Sequence, residues 1–216
     1  MEKEQVNLLI FGAPGSGKGT QARLLGEYLK GLEVISMGDL LRAEVASKTV
    51  IGVEVEAIMQ EGRLVGDPLV CEMIFRKLRR VSAGFLLDGF PRNLPQAEFL
   101  TAVMRLLNRK IDAVLKLEVD AAVVENRLQG RLVCKGCGAV SNAVFNHGAC
   151  QACGCEEYVR RNDDSLNVIR RRLMDYDREV TVLEGYYQDK VIRINGDRTV
   201  EEIHGDVKHV LDRLNN

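Results

Sequence analysis

A chain of 216 residues with 46% hydrophobic content can bury one sizeable core carrying insertions, but it is short for two independent domains. Its formal net charge of −1 provides no global basic field for nucleic acid, so any attraction for phosphate must be local. Met1 to Gln5 carry no basic region ahead of an apolar core, and no apolar run approaches the ~18 residues of a membrane span; neither export nor a membrane partner is expected, and the cytoplasm is the default location.

The first apolar run, Val6 to Phe11, reads as a buried strand, and Gln21 to Leu25 opens a helix. Between them lies Gly12-Ala13-Pro14-Gly15-Ser16-Gly17-Lys18-Gly19-Thr20. Such a loop exposes successive backbone N–H groups, its glycines admit a polyphosphate closely, and the following helix N-terminus attracts negative charge. Lys18 supplies a point charge. The pattern G-x-x-x-x-G-K-[ST] is met through Lys18, with Gly19 in the hydroxyl position and the hydroxyl itself at Thr20. A mere connecting turn needs no such density of glycine and lysine, so phosphate binding is expected.

Leu32 to Ser36 is a short second strand, and Gly38 begins a helical region to about Glu61, punctuated by Gly52 and Gly62. Asp67-Pro68 reads as a cap followed by proline at the first helical position, opening a helix to about Val81. Gly84 to Arg92 is an apolar strand that ends in Asp88 and a turn. An acid at the end of a strand beside a phosphate loop suits the nucleotide's Mg²⁺, usually through water. A helix from Pro95 to about Asn108, a strand from Ala113 to Val119 and a helix from Ala121 to Gln129 follow. After a pause at 131–164 come a helix from Ser165 to about Tyr187, a strand from Val191 to Asn195 and a helix from Val200 to Leu214. This alternation predicts an α/β fold with a five-stranded, doubly wound parallel sheet.

The pause holds five of the six cysteines. Cys134-x-x-Cys137 and Cys150-x-x-Cys153 offer four thiolates, a closed set suited to structural Zn²⁺. The segment is poor in large apolar residues, so a metal would hold it together. Its twelve-residue spacer is shorter than in the usual ribbon, which leaves His147 and Cys155 as alternative ligands. Cys71, on a helix, reads as a core residue.

Gly12 to Thr20, Ser36 to Arg42, Gly84 to Arg92 with Gln96, Arg127 with Gly130-Arg131, Arg161 to Asp164, and Arg172 occur in one order over nearly the whole chain. In this the chain resembles the adenylate kinases of the long-lid, zinc-containing type. The resemblance implies a P-loop NTPase-like core (residues 1–35, 66–129 and 165–216), a nucleoside-monophosphate-binding insert (36–65) and a zinc-binding lid (130–164). It implies ATP and AMP as substrates, Mg²⁺ with the ATP, Zn²⁺ in the lid, and a monomer. ATP would lie against Gly15, Ser16, Gly17, Lys18, Gly19 and Thr20, with Arg127, Arg131, Val140, Ser141 and Arg198. AMP would lie against Met37, Arg42, Arg63, Leu64, Val65, Gly89, Phe90, Pro91, Arg92 and Gln96, with Arg161 and Arg172. Lys18, Asp88, Arg92, Arg131, Arg161 and Arg172 would surround the moving phosphoryl group.

The implied chemistry is physically coherent. A loose phosphoryl transition state spreads charge over equatorial oxygens, which planar guanidinium groups match, and the ionised acceptor phosphate needs no general base. Closure of both inserts would exclude water that could replace AMP. Two residues depart from the family pattern: Met37 stands where Thr or Ser is usual near the AMP base, and Ser141 where an aromatic residue often faces the ATP adenine. Gln96 fits the family glutamine at the AMP adenine edge. Asp163 and Asp164 are either a hinge and helix cap or a lock for the closed lid. A rival reading keeps the chemistry with a UMP, CMP or GTP preference. A rival of another class, a zinc-ribbon ATP-binding module without catalysis, predicts basic and aromatic residues interleaved around the knuckles, whereas Ala139 to His147 is largely neutral.

Overall fold

The computed structural model describes residues 6–143, 148–161 and 163–214. β1 (Asn7–Gly12) feeds α1 (Lys18–Tyr28), β2 (Glu33–Ser36) feeds α2 (Met37–Ala46) and α3 (Val50–Gln60), and α4 (Asp67–Leu78) leads to β3 (Phe85–Asp88). Next come α5 (Leu94–Leu106), β4 (Ala113–Glu118), α6 (Ala121–Gln129) and three short strands, β5 (Arg131–Cys134), β6 (Val140–Asn142) and β7 (Tyr158–Val159). The chain closes with α7 (Leu166–Tyr186), β8 (Val191–Asn195) and α8 (Val200–Leu214).

The main sheet is five-stranded and parallel, in the order β2-β3-β1-β4-β8. Successive side chains of a strand point to opposite faces, and both faces are covered, so the strands read as continuous apolar runs. On one face Leu9, Phe11, Phe85 and Leu87 pack with Ile74 and Leu78 of α4, Leu100 of α5 and Leu183 of α7. On the other, Leu8, Ile10, Leu86 and Leu115 meet Ala22 and Leu25 of α1 and the stripe Ile203, Val207 and Leu211 of α8, spaced four residues apart as one helix face requires. At the amino end of the sheet, Arg109 ties loops together: its Nη1 donates to Val81 O at 3.0 Å and its guanidinium lies 4.7 Å from the Phe85 ring centre. The carboxyl ends of β1, β2 and β3 lie together at the other edge, with Ile10 and Ser36 both in register with Asp88. Ligands of open parallel sheets bind at that edge, where the strand order reverses.

Three local outcomes differ from the sequence expectation. The helix after the first loop begins at Lys18, three residues before Gln21, because Gly17 takes the cap position. The region from Gly38 to Glu61 is two helices, broken where Lys48 adopts φ 50° and Thr49 Oγ1 accepts from Gly52 N at 2.9 Å. Gly52 therefore sits inside α3, where a Cβ would lie 2.1 Å from the Glu44 carbonyl oxygen; it permits close approach to α2 and does not break the helix. The segment read as a pause holds a second, antiparallel sheet of order β6-β5-β7, whose strands are too short to show periodicity.

Candidate active site

The loop after β1 is shaped by two glycines with different constraints. At Gly15, φ is +86° and a Cβ would lie 2.7 Å from Leu128 Cγ; at Gly17, φ is +97° and a Cβ would meet nothing within 4 Å, so conformation alone demands glycine there. Gly17 delivers the chain into α1, whose first turn carries no acidic side chain. The first N–H groups of a helix lack carbonyl partners and carry the positive end of its dipole. Ser16 Oγ is fully buried without a hydrogen-bond partner among the described residues, a polar atom aimed into this loop. Lys18 curls back over the loop, its Nζ donating to Gly12 O at 2.6 Å and Ala13 O at 2.8 Å. Lost hydration in the cleft lowers its pKa to about 8, although Asp88 opposes the shift.

Asp88, at the end of β3, stands beside the first turn of α1: a Cβ on Gly19 would be 3.7 Å from its Oδ2. Desolvation pushes its pKa up, and Lys18 and Arg92 pull it back. Arg92 Nε donates to Gly89 O at 3.0 Å. Desolvation and then Arg172 lower its pKa to about 10, and desolvation and then Arg42 do the same to Arg161. Both stay cationic at neutral pH. Arg172 Nη1 pairs with Asp163 Oδ2 at 2.7 Å, Arg131 Nε with Asp164 Oδ2 at 2.7 Å, and Arg42 with Asp39. Arg127 reaches the loop from α6, donating to Ser16 O at 3.4 Å and Gly196 O at 2.9 Å.

Lys18, Leu64, Gly89, Pro91, Arg92 and Arg172 line one cleft. Asp175, Tyr176 and Glu179 line it too, residues that sequence reasoning missed; their spacing of three, four and seven from Arg172 on α7 is the signal that could have found them. Other expected site residues are held by contacts of their own. Met37 is 2% exposed and packs in the larger core with Val65 and Phe90. Arg63 pairs with Glu61 at 2.5 Å on the surface. Arg198 turns to Asp206 and the Asn195 carbonyl. Val140 and Ser141 lie on β6, paired with Val133 and Leu132 of β5. Gln96 is buried, with both ends of its amide engaged: Oε1 accepts from Arg92 N at 2.8 Å and Nε2 donates to Asp67 Oδ1 at 2.7 Å.

At the far end of β5 from Arg131, the sulfurs of Cys134, Cys137, Cys150 and Cys153 lie within 4.8 Å of one another, Cys134 and Cys153 at 3.5 Å and Cys137 and Cys150 at 3.6 Å. A tetrahedral zinc with Zn–S bonds of about 2.3 Å would set sulfurs roughly 3.8 Å apart, so the four fit that ion. Both knuckles fold alike: Gly138 N donates to Cys134 O at 2.9 Å and Gly154 N to Cys150 O at 2.7 Å. Cys155 stands outside the four, its Sγ 3.8 Å from Glu157 O, and His147 lies outside the described residues. Among the described residues no helix is long and apolar enough to cross a membrane.

The adenylate kinase family model matches residues 10–192. An adenylate kinase of Trichlorobacter lovleyi is 42% identical over 193 residues, 87% of this chain and 89% of its own. That of Methanocella arvoryzae is 39% identical over 217 residues, covering 97% of this chain and 100% of its own, and that of Paracoccus denitrificans 38% identical over 215 residues, covering 97% and 98%. With a phosphate loop, a strand-end acid and converging arginines at the edge where such enzymes work, the chain belongs to the adenylate kinase family.

Proposed function

We propose that the cleft is a two-substrate site in which the loop from Gly15 to Thr20 holds ATP and the turn from Gly89 to Arg92 faces the AMP phosphate. As a member of its family the chain is a nucleoside-monophosphate kinase, transferring a phosphoryl group reversibly between Mg-ATP and AMP to give two ADP. The observation that carries the residue assignment is the convergence of Lys18, Asp88, Arg92 and Arg172 at the carboxyl ends of β1 and β3.

On binding, phosphate oxygens replace the Gly12 and Ala13 carbonyls as partners of Lys18 Nζ, and the first-turn N–H groups and Ser16 Oγ take further oxygens. Arg127 and Arg131 hold the donor's phosphates and Arg42 and Arg92 the acceptor's, while Arg161 and Arg172 serve the moving group. Charge spreads over the equatorial oxygens in the transition state, and guanidinium groups already in place stabilise it without reorganising. Asp163 and Asp164 act as interim counter-ions, exchanged for phosphate as Arg172 and Arg131 engage. Asp88 and Thr20 would hold the Mg²⁺ that accompanies ATP, which would supply neutralising charge to the phosphates.

The core comprises residues 1–35, 66–129 and 165–216, with an acceptor-side insert at 36–65 and a lid at 130–164. Cys134, Cys137, Cys150 and Cys153 would hold a structural Zn²⁺, which would tie the lid sheet together. Met37, Val65 and Phe90 back the acceptor pocket from the core, and Gln96 meets the adenine with its remaining N–H and lone pair. Arg63 and Leu64 flank that pocket; Val140, Ser141 and the backbone near Arg198 border the donor base. The free thiols suit a reducing compartment such as the cytoplasm, and the near-neutral charge suits a monomer acting on small molecules without nucleic acid. Steady-state rates with AMP, UMP, CMP and GMP at fixed ATP test the acceptor, and with GTP the donor. AMP with ATP should be preferred; equal rates across acceptors would overturn the assignment.

A further inference from the structure

Between α4 and α5, behind the cleft, three side chains form a small network in which every amide orientation is determined by chemistry. The backbone N–H of Gln96 can only donate, so the Asn93 oxygen must face it, as it does at 3.0 Å. The backbone N–H of Arg92 can only donate, so Gln96 Oε1 must face that, at 2.8 Å. Both amide nitrogens are thereby turned toward Asp67. Gln96 Nε2 donates to Asp67 Oδ1 at 2.7 Å, and Asn93 Nδ2 donates to Oδ1 at 3.0 Å and Oδ2 at 3.1 Å. Residue 67 must accept at both terminal atoms. Only a carboxylate does so.

An asparagine side chain at this position has no satisfactory arrangement. One orientation sets its NH₂ against Asn93 Nδ2, and the other against Asn93 and Gln96 together. Rotating the Gln96 amide to escape places its NH₂ against the Arg92 N–H. The frustration is thus passed to Arg92, whose backbone is held by Gln96 and whose Nε is held by the Gly89 carbonyl at 3.0 Å. The guanidinium packs close over that turn: a Cβ on Gly89 would lie 3.3 Å from Arg92 Nη2.

We propose that Asp67 is a positioning residue for the transfer reaction: it fixes the Gln96 amide and, through it, the backbone that aims Arg92. The proposal rests on the reading in which Arg92 contacts the phosphates. Displacing a phosphate-holding group by a fraction of an ångström lowers turnover more than substrate affinity, and a misplacement of about 1 Å can cost about 100-fold.

The test is the double-mutant cycle of D67N and R92A, with kcat, KM for both nucleotides and the melting temperature measured for each protein. D67N should lower kcat about tenfold or more with smaller changes in KM, and should have almost no further effect in the R92A background. The conservative variant D67E keeps a carboxylate that can accept from both amides, and should retain more kcat than D67N with little change in KM. If D67N alone fails to fold, D67E and its double mutant with R92A carry the test. Loss of kcat by the same factor in both backgrounds, or a folded D67E no better than a folded D67N, would overturn the role of Asp67. An R92A enzyme with undiminished turnover would instead refute the reading of Arg92, and with it any positioning through that residue.

Discussion

Lys18 shows how a residue is made useful by a position that costs it solvation. Its ammonium is held by two carbonyls and partly stripped of water, so its pKa falls from the ordinary 10.5 to about 8. For the free enzyme this sets a pH limit: kcat/KM for ATP should fall as pH rises through about 8, since the neutral amine no longer attracts phosphate. A profile flat to pH ~10 would show that Lys18 keeps an ordinary pKa. Stability moves the other way. Between the folded value of about 8 and the unfolded value near 10.5, the unfolded chain binds more protons, so the Lys18 contribution makes folding more favourable as pH rises. K18M should accordingly lower kcat by about 10²–10³ without lowering the melting temperature greatly. Lys18, Asp88 and Arg92 were legible because motif and strand position identify them. The burial of Met37 and the engagement of Gln96 were not, since both depend on which distant side chains pack around them.

Among the elements, the small antiparallel sheet buries little apolar surface. Its strands span only two to four residues, and its buried anchors include Cys134, 1% exposed, and Cys150, 6% exposed. Purified protein should therefore contain about one zinc per chain, and C134S should lose it. Limited proteolysis of C134S should then cut within residues 131–161 while the parallel sheet and its helices persist. Full zinc content in C134S, or unchanged resistance to cleavage, would refute the structural-metal reading. The C-x-x-C spacing made the four-thiol cluster legible in sequence, but not the short strands around it. Gly52 shows the opposite case. Its glycine reads locally as a break, and only the neighbouring helix, with its Glu44 carbonyl against that face, reveals a contact.

For the whole molecule the decisive matter is water. Desolvation in the cleft, and then the nearby Arg92, Arg172 and Arg131, lower the basicity of Lys18, and the same groups that stabilise transfer to AMP would stabilise transfer to water. An enzyme with a loosened lid should release more inorganic phosphate per ADP formed through transfer. Zinc-depleted protein should thus show a higher ratio of ATP hydrolysis to AMP phosphorylation than the zinc-loaded form, measured by phosphate release beside a coupled ADP assay; an unchanged ratio would separate the lid from water exclusion. The alternation of apolar strands and amphipathic helices determined the α/β class and the parallel sheet. The motif spacings determined the phosphate loop and the thiol set. These are local properties, written in neighbouring residues. The order of the strands, the place of the break between α2 and α3, the α7 face of the cleft and the Asp67 network were decided only by tertiary structure. They depend on contacts between segments far apart in the chain, where packing and mutual satisfaction of polar groups outweigh what any one segment prefers.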